Sequence, residues 1–487
     1  MKSTSNSVTP AKAGVQNLLK SFTGMELDSG SLLTACRDKL RGNDKSGVFK
    51  VSLKRIFLIL GLLLLSFSVQ AGNWQPPKVS VYRLSNGFQL YFLEDHTLPI
   101  VEAQLLVKTG DVVNPPKLAG LSDILASLLV TGGTEAKKPS EVDAWLDQRA
   151  IHLSAESGRE IVTLKISALS KVWKESLNFL GEVMLHPAWD PGRFTLAVNR
   201  YKEGLRRDED EPETIAMRAF RQAIYGSESS LSRVPTATSL DKITIKDIQQ
   251  MFKKYFQPDR MILAVAGDFS STQVKAWAEK TFGPIKSIAV ENFVWKEIPF
   301  QNKPVLKKIK KKLTQAFIET GHLSLKRFDK EEYTYGLLQY ILGGDPFTSR
   351  LGVDIRTDRG LAYSVYSDWD TNPSRGLFHI HVETKRETQD LVLDRIKTHL
   401  VELAEKGNIT PEELKKAKDA MLNRYIFWFD SPFKVVMQKA RLDILGFPSD
   451  YLEKYPDKVK KVTLEEVNAI AKKWLQPNNL ATVLVGP

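Results

Sequence analysis

The sequence predicts an α+β protein of two homologous domains in tandem, each a mostly antiparallel sheet packed with helices. The main observation is an internal repeat, in which residues 243–268 align with residues 462–487 at a constant offset of 219 residues. Each copy has the pattern of an amphipathic helix capped by Thr244 or Thr463, a Gln-Pro turn and a buried strand that ends at glycine. Two copies so far apart do not fit a solenoid, so the repeat predicts two domains of one fold.

The remaining segments supply strands and helices in an order that fits this fold class. Residues 79–95 (VSVYRLSNGFQLYFLED) predict a hairpin around Ser85-Asn86-Gly87. Two apolar segments predict helices that each end at a glycine pair, at 120–133 and 335–344. Further strands are predicted at 102–109, 160–169 and 376–383, and further helices at 142–149, 172–185 and 191–209. Strands and helices do not alternate strictly, which argues against a doubly wound parallel sheet.

Two prolines mark the predicted boundary between the domains. Residues 291–304 (ENFVWKEIPFQNKP) predict an extended linker, because Pro299 and Pro304 suit such a connection. The N-terminal domain is then 72–290 and the C-terminal domain 305–487. The lysine-rich run at 307–312 could be a nucleic-acid patch, but its alternation with apolar residues favours a solvated edge strand.

Residues 51–71 predict a cleaved signal peptide. Lys54 and Arg55 precede an apolar run of fourteen residues, and Ala71 is the small residue expected at a cleavage site. The run is shorter than the roughly twenty residues of a membrane span, which favours cleavage after Ala71 over an uncleaved anchor. We therefore expect a periplasmic protein without a stable membrane span. Residues 1–50 predict either a disordered tail or an extension created by a start codon assigned too far upstream.

Composition and charge exclude several classes of protein. A chain that is 42% hydrophobic and 26% charged is globular and is neither mostly disordered nor collagen-like. Half of the formal charge of +12 falls on residues 1–71, and the rest is spread along the remaining chain, so we expect no nucleic-acid partner. The single cysteine, Cys36, precedes the cleavage site, which excludes a disulfide framework or a cysteine zinc site in the mature chain.

The hairpin, the helix GLSDILASLLVTGG at 120–133, the duplication and the closing Gln-Pro-strand unit resemble the insulinase/pitrilysin-type zinc peptidases, especially the processing-peptidase-like branch. The resemblance runs from about residue 79 to residue 487. In active members the first helix carries His-x-x-Glu-His. Its two histidines hold zinc, its glutamate is the general base, and a glutamate further along completes the ligands.

This chain departs from the motif at each of those positions. Asp123 and Ser127 stand where the two histidines are expected, and Ala126 stands where the glutamate is expected. The downstream ligand position falls on Gly204, with Glu203 beside it. Asp123 and Glu203 alone would make a poor zinc site, and Ala126 cannot take a proton. The resemblance therefore implies a non-proteolytic homologue without a cofactor of its own.

One other arrangement could hold a metal. His379, His381 and Glu383 alternate in FHIHVE, so on a strand they share one face. The pattern is more typical of polar residues on a half-buried sheet, and we therefore expect no metal bound by this chain. Nucleophile-elbow, P-loop and dinucleotide-binding motifs are absent from the sequence.

Residues 342–367 (LGGDPFTSRLGVDIRTDRGLAYSVYS) resemble the second-domain segment in which an Arg and a Tyr bind the substrate backbone and stabilise the tetrahedral intermediate. The matching residues are Arg356 and Tyr363. A guanidinium and a phenol can both donate hydrogen bonds to a developing oxyanion. A structural role for the pair within a folding motif is the alternative.

The resemblance implies one function and leaves two others open. The first is a non-catalytic subunit of a periplasmic heterodimeric zinc metallopeptidase, whose homologous partner carries the zinc and which acts on peptides or unfolded proteins. The second is a stand-alone peptide-binding or scaffold protein derived from a peptidase. The third is a peptidase with an unrecognised metal site.

Overall fold

A computed structural model describes residues 76–300 and 303–487, all within a unit that runs from Gln75 to Pro487. The predicted N-terminal extension (1–50), the signal peptide (51–71) and Cys36 lie outside the described residues. In the described ranges, every helix is too short or too polar to cross a lipid bilayer.

The strands form two sheets of the same design. In chain order they are β1 (Ser80–Arg83), β2 (Gln89–Glu94), β3 (Ile100–Val107), β4 (His152–Ser157), β5 (Val162–Leu169), β6 (Met261–Gly267), β7 (Val305–Lys310), β8 (Gln315–Leu323), β9 (Ala362–Asp370), β10 (Leu377–Lys385) and β11 (Ala481–Gly486). The first sheet has the order β1-β2-β6-β3-β5-β4 and the second β7-β11-β8-β10-β9. Without β1, the two orders match strand for strand. The pairs β2–β6 and β7–β11 are parallel and the others antiparallel, which confirms the duplicated α+β fold.

Helices pack on the faces of both sheets. In chain order they are α1 (Leu121–Thr131), α2 (Pro139–Arg149), α3 (Trp173–Leu185), α4 (Pro191–Asp208), α5 (Pro212–Tyr225), α6 (Ala237–Asp241), α7 (Ile245–Tyr255), α8 (Ser271–Phe282), α9 (Glu332–Gly343), α10 (Gln389–Lys406), α11 (Pro411–Ile426), α12 (Pro432–Ile444), α13 (Tyr451–Lys461) and α14 (Leu464–Trp474). A π-helical turn spans Gly352–Asp358, and short 3-10 turns occur in several connections.

The two copies of the repeat fold alike. Thr244 caps α7 and Thr463 caps α14, and each side chain accepts a hydrogen bond from the third helical residue, Asp247 or Glu466. The acidic side chain in turn accepts a hydrogen bond from the backbone N–H of the threonine, which completes a capping box. Each helix leads through the Gln-Pro turn into a central strand, β6 or β11. The predicted caps and helix–strand units are therefore confirmed.

The lysine-rich run forms β7, the edge strand of the second sheet. Lys307, Lys308 and Lys310 are exposed on it. Charged side chains on an edge strand discourage pairing with other chains. The expectation of a solvated edge strand is confirmed.

Each half of the chain supplies a helix to the sheet of the other half. Phe220 and Ala216 of α5 are buried with Val483 and Val485 of β11 in the second sheet. In return, α12 packs across β6, β2 and β3 of the first sheet. Because each exchanged helix covers apolar strand residues of the other half, separating the halves would expose both faces to water.

Candidate functional site

The helix that corresponds to the zinc helix of active peptidases is an ordinary buried helix here. α1 begins after Gly120, whose φ of +96° suits glycine, and ends at Gly132. Ala126 is buried in the hydrophobic core, while Asp123 and Ser127 lie one turn apart and half-buried. The helix therefore has an apolar face that packs into the core, as in a purely structural helix.

The carboxylate of Asp123 lies beside two polar side chains, Tyr201 and Asp111. The hydroxyl of Tyr201, on α4, is hydrogen-bonded to its carboxylate, and Asp111 is close enough for the two acids to repel each other. Asp111 accepts a bond of 2.7 Å from Ser122, which itself accepts one of 2.9 Å from Asn114. Burial, followed by the charge of Asp111, raises the pKa of Asp123 to about 7. The position that a zinc-binding histidine would occupy thus holds a carboxyl group that stays largely protonated below about pH 7.

The downstream ligand position offers no replacement. Gly204 lies on α4, and a side chain added there would meet no atom within 4 Å. Glu203 is exposed and accepts two bonds from Arg206, of 2.9 and 3.0 Å. Asp123 belongs to none of the groups of three potential metal ligands in the described part of the chain. The two carboxylates considered for zinc therefore have separate partners.

The structure brings Arg356 and Tyr363 together at the surface. Arg356 lies on the π-helical turn Gly352–Asp358, and Tyr363 lies at the start of β9. The guanidinium carbon of Arg356 lies 4.4 Å from the ring centroid of Phe347 and 5.9 Å from that of Tyr363. Both rings are exposed, at 60% for Phe347 and 75% for Tyr363. We call these three residues the Arg–Tyr patch.

The donors of the Arg–Tyr patch are not used by nearby acids. Within residues 76–300 and 303–487, Arg356 forms no ion pair with an acidic side chain. Instead its guanidinium stacks on aromatic rings, an arrangement that leaves its N–H groups free to donate. The arrangement therefore leaves hydrogen-bond donors available at the surface.

A half-buried carboxylate holds the turn that carries Arg356. Asp354 accepts bonds from Arg359 and Arg395, both of 2.7 Å, and lies 2.9 Å from His399. Although burial alone would raise the pKa of Asp354, these three partners hold it well below its usual range. π-Helical turns are rare and frequently occur at functional sites. Anchoring through Asp354 keeps this one in place.

The histidines of β10 do share a face, as their alternation predicts. Nδ1 of His379 lies 2.9 Å from Glu319 Oε2, and Nδ1 of His381 lies 2.7 Å from Glu319 Oε1. Glu319 is fully buried on the adjacent strand β8, directly opposite His381. Burial would raise the pKa of Glu319, but its bonds to the two histidines lower it.

A second carboxylate reaches His381 from the first half of the chain. Glu213, in the first turn of α5, joins His381 and Glu383, and ligand atoms of the three side chains lie within 4.8 Å of one another. His379 is not part of this group. Sequence reasoning found His381 and Glu383 but missed Glu213 and Glu319, because only the alternation on β10 was visible in the sequence.

Comparison with known proteins places this fold in a peptidase family. Two sequence models match the chain, "Insulinase (Peptidase family M16)" over residues 91–233 and "Peptidase M16 inactive domain" over residues 242–421. Fold and site together define a peptidase-like protein of two tandem domains. The chain belongs to the insulinase family of peptidases, as a homologue that lacks His-x-x-Glu-His.

Some relatives are named as zinc proteases and others as non-peptidase homologues. The "Uncharacterized zinc protease YmxG" of Bacillus subtilis is 25% identical over 407 residues, which cover 83% of this chain and 98% of that protein. The "Non-peptidase homolog YmxG" of Helicobacter pylori is 23% identical over 439 residues, covering 88% of this chain and 98% of that protein. This similarity relates the chain to inactive homologues of the family.

Two solved structures share the fold. The crystal structure of a peptidase M16 inactive domain from Pseudomonas fluorescens superposes with a TM-score of 0.76 at 22% identity, over 84% of this chain and 98% of that one. The crystal structure of a protease from Helicobacter pylori gives the same TM-score at 19% identity, over 85% of this chain and 100% of that one. At these identities the likeness concerns the fold alone.

Proposed function

We propose that this protein is the non-catalytic subunit of a periplasmic heterodimeric zinc metallopeptidase. Its partner is a homologous subunit that carries the zinc, and the pair cleaves peptides or unfolded proteins. This chain contributes Arg356 and Tyr363, which bind the substrate backbone and stabilise the transition state. The observation that carries the proposal is the Arg–Tyr patch, a pair of donors at the surface of a chain that lacks the zinc-binding residues.

The division of labour follows from the chemistry at the two places. Peptide hydrolysis by a zinc enzyme needs a metal-bound water and a base, and neither Asp123 nor Ala126 provides these. It also needs donors for the developing oxyanion, which a guanidinium and a phenol can supply without a metal in the same chain. Periplasmic export rests on the basic and apolar pattern of residues 51–71.

The second candidate is a stand-alone peptide-binding protein. A cleft of about 980 Å³, open to solvent, lies where the first half meets residues 291–299, and Pro115, Tyr225, Arg233 and Phe293 are among the residues that line it. A cleft of this size could hold a short peptide without any partner. The two candidates differ in whether a zinc-bearing subunit is needed for activity.

The test combines this chain with a homologue from the same genome that has an intact His-x-x-Glu-His. Peptide hydrolysis is measured for each protein alone and for the mixture, and complex formation is followed by size exclusion. We expect activity only from the complex. Two separate monomers, with full activity of the zinc protein alone, would favour the second candidate.

Variants of the Arg–Tyr patch test the chemical role. Arg356→Ala should lower turnover of the complex about 100- to 1,000-fold, because one oxyanion donor is worth about 2.7–4 kcal/mol. Tyr363→Phe removes only the hydroxyl and should lower turnover less. Arg359→Ala, directly after the same turn, is the matched control, since Asp354 keeps Arg395 and His399 as partners. If the Arg356 and Tyr363 variants fold, pair and cleave like wild type, the proposed role is wrong.

A further inference from the structure

Three potential metal ligands meet where the two halves of the chain join. Glu213 comes from α5, and His381 and Glu383 come from the face of β10 that α5 helps to cover. Nε2 of His381 lies 3.7 Å from Glu383 Oε1. Two bonds of about 2.1 Å to a shared ion, at a tetrahedral angle, place the ligand atoms about 3.4 Å apart. Small side-chain rotations would therefore bring the group to metal-binding distances.

The ring of His381 is oriented with Nε2 towards the carboxylates of Glu383 and Glu213. Its Nδ1 lies 2.7 Å from Oε1 of the fully buried Glu319 and is placed to donate a hydrogen bond to that oxygen. In the neutral imidazole, Nε2 then presents a lone pair. The side chain is only 1% exposed, and Nε2 has no hydrogen-bond partner among the described residues. Because Nε2 lies beside the carboxylates of Glu383 and Glu213, a positive charge is favoured there, and either a metal ion or a second proton on the ring supplies it.

Neighbouring groups hold the ring in this orientation. Histidines that bind metals almost always donate their other ring N–H to a carboxylate or carbonyl, and the Glu319 contact has that geometry. Tyr366 stacks on His381 with ring centroids 5.0 Å apart and an interplanar angle of 30°. Its hydroxyl points towards Glu213 Oε1 at 3.5 Å. These hydrogen bonds and the ring stacking thus resemble the contacts that usually orient metal ligands.

We propose that Glu213, His381 and Glu383 bind one divalent transition-metal cation, which fastens α5 to the second sheet. One imidazole and two carboxylates suit Zn²⁺ or Mn²⁺ better than Mg²⁺, which prefers oxygen ligands and water. This site departs from the expectation that the chain binds no metal, and it is separate from the degenerate positions on α1. It is also independent of the proposed role in proteolysis.

Metal binding should be visible in the isolated chain. Protein treated with a chelator and then dialysed is titrated with Zn²⁺, Mn²⁺ and Mg²⁺ by isothermal calorimetry, and its thermal unfolding is recorded with each ion. We expect one equivalent of Zn²⁺ or Mn²⁺ to bind, and Mg²⁺ to bind much more weakly. Because the ligands separate on unfolding, the ion at about 100 times its Kd should raise Tm by about 3 °C.

Variants separate this site from others. Glu213→Gln and Glu383→Gln should each weaken binding about tenfold or more and so reduce the rise in Tm by about half or more at the same ion concentration. His379→Gln is the matched control, because His379 lies on the same face and shares Glu319 but is outside the group. Glu213 is exposed, so its variant should fold even if a His381 variant does not. Asp123→Asn should leave the affinity unchanged.

Three results would overturn the proposal. The first is the absence of stoichiometric binding by the wild-type chain. The second is an affinity that is unchanged in both glutamate variants, or lost in Asp123→Asn. The third is an NMR spectrum in which His381 stays an imidazolium in excess Zn²⁺, since a proton on Nε2 would then satisfy the two carboxylates.

Discussion

Replacing Asp123 by Asn should stabilise the protein at neutral and alkaline pH. The carboxyl group is buried beside Asp111, and its pKa is raised from 3.8 to about 7. The folded protein therefore binds this proton more tightly than the unfolded chain does. Unfolding releases the proton between pH 4 and 7, so the stability contributed by Asp123 falls as the pH rises through that range and stays lost above it.

The size of the effect follows from the difference in pKa. Each pKa unit corresponds to about 1.4 kcal/mol, so the full difference is equivalent to about 4 kcal/mol. Asn is similar in shape and can still accept the bond from Tyr201, but it carries no charge. At pH 8 we expect Asp123→Asn to be more stable than wild type by about 2–4 kcal/mol. At pH 4 the two proteins should be nearly equal.

Urea unfolding, followed by circular dichroism from pH 4 to pH 8, measures this difference. Comparing variant with wild type at each pH removes the contribution of other titrating groups. Glu203→Gln is the control, because this exposed carboxylate lies on the facing helix and pairs with Arg206. Arg206 lowers the pKa of Glu203, so between pH 5 and pH 8 its carboxylate stays charged and the pH dependence of Glu203→Gln should follow that of wild type. Parallel curves for Asp123→Asn and wild type, or a less stable variant at pH 8, would refute the reasoning.

Two further predictions concern the second sheet. Burial lowers the pKa of His322 to about 4, whereas an unfolded histidine titrates near 6.5, so stability should be lost as the pH falls from 6.5 to 4. His322→Phe should remove about 2 kcal/mol of the stability lost between pH 7 and pH 5 in urea unfolding, and an unchanged acid slope would contradict the cause given. Phe220→Ala should cost about 3–5 kcal/mol in the same assay, because the fully buried ring packs α5 against β11. A cost below about 1 kcal/mol would mean that α5 contributes little to joining the halves.

The two hydrogen-bond donors of the Arg–Tyr patch could be identified from a local sequence pattern, but the residues that hold them could not. Arg356 and Tyr363 are seven positions apart, within one turn and the start of the next strand, so their proximity depends on a short segment. The sequence could therefore identify the pair as candidate substrate-binding residues. It could not supply Phe347, whose ring lies under the guanidinium, or Asp354, which holds the turn through Arg395 on another helix.

The sequence by itself determined the duplicated α+β fold, the caps at Thr244 and Thr463 and the loss of the zinc motif. Periodicity, capping and turn residues act over a few positions, and a repeated pattern of them specifies a repeated domain. Only the tertiary structure decided that Tyr201 and Asp111 surround Asp123, and that Glu213 meets His381. Those contacts join residues far apart in the chain. Packing of α4 on α1 brings Tyr201 to Asp123, and α5 brings Glu213 to His381 because its apolar face is buried against the second sheet.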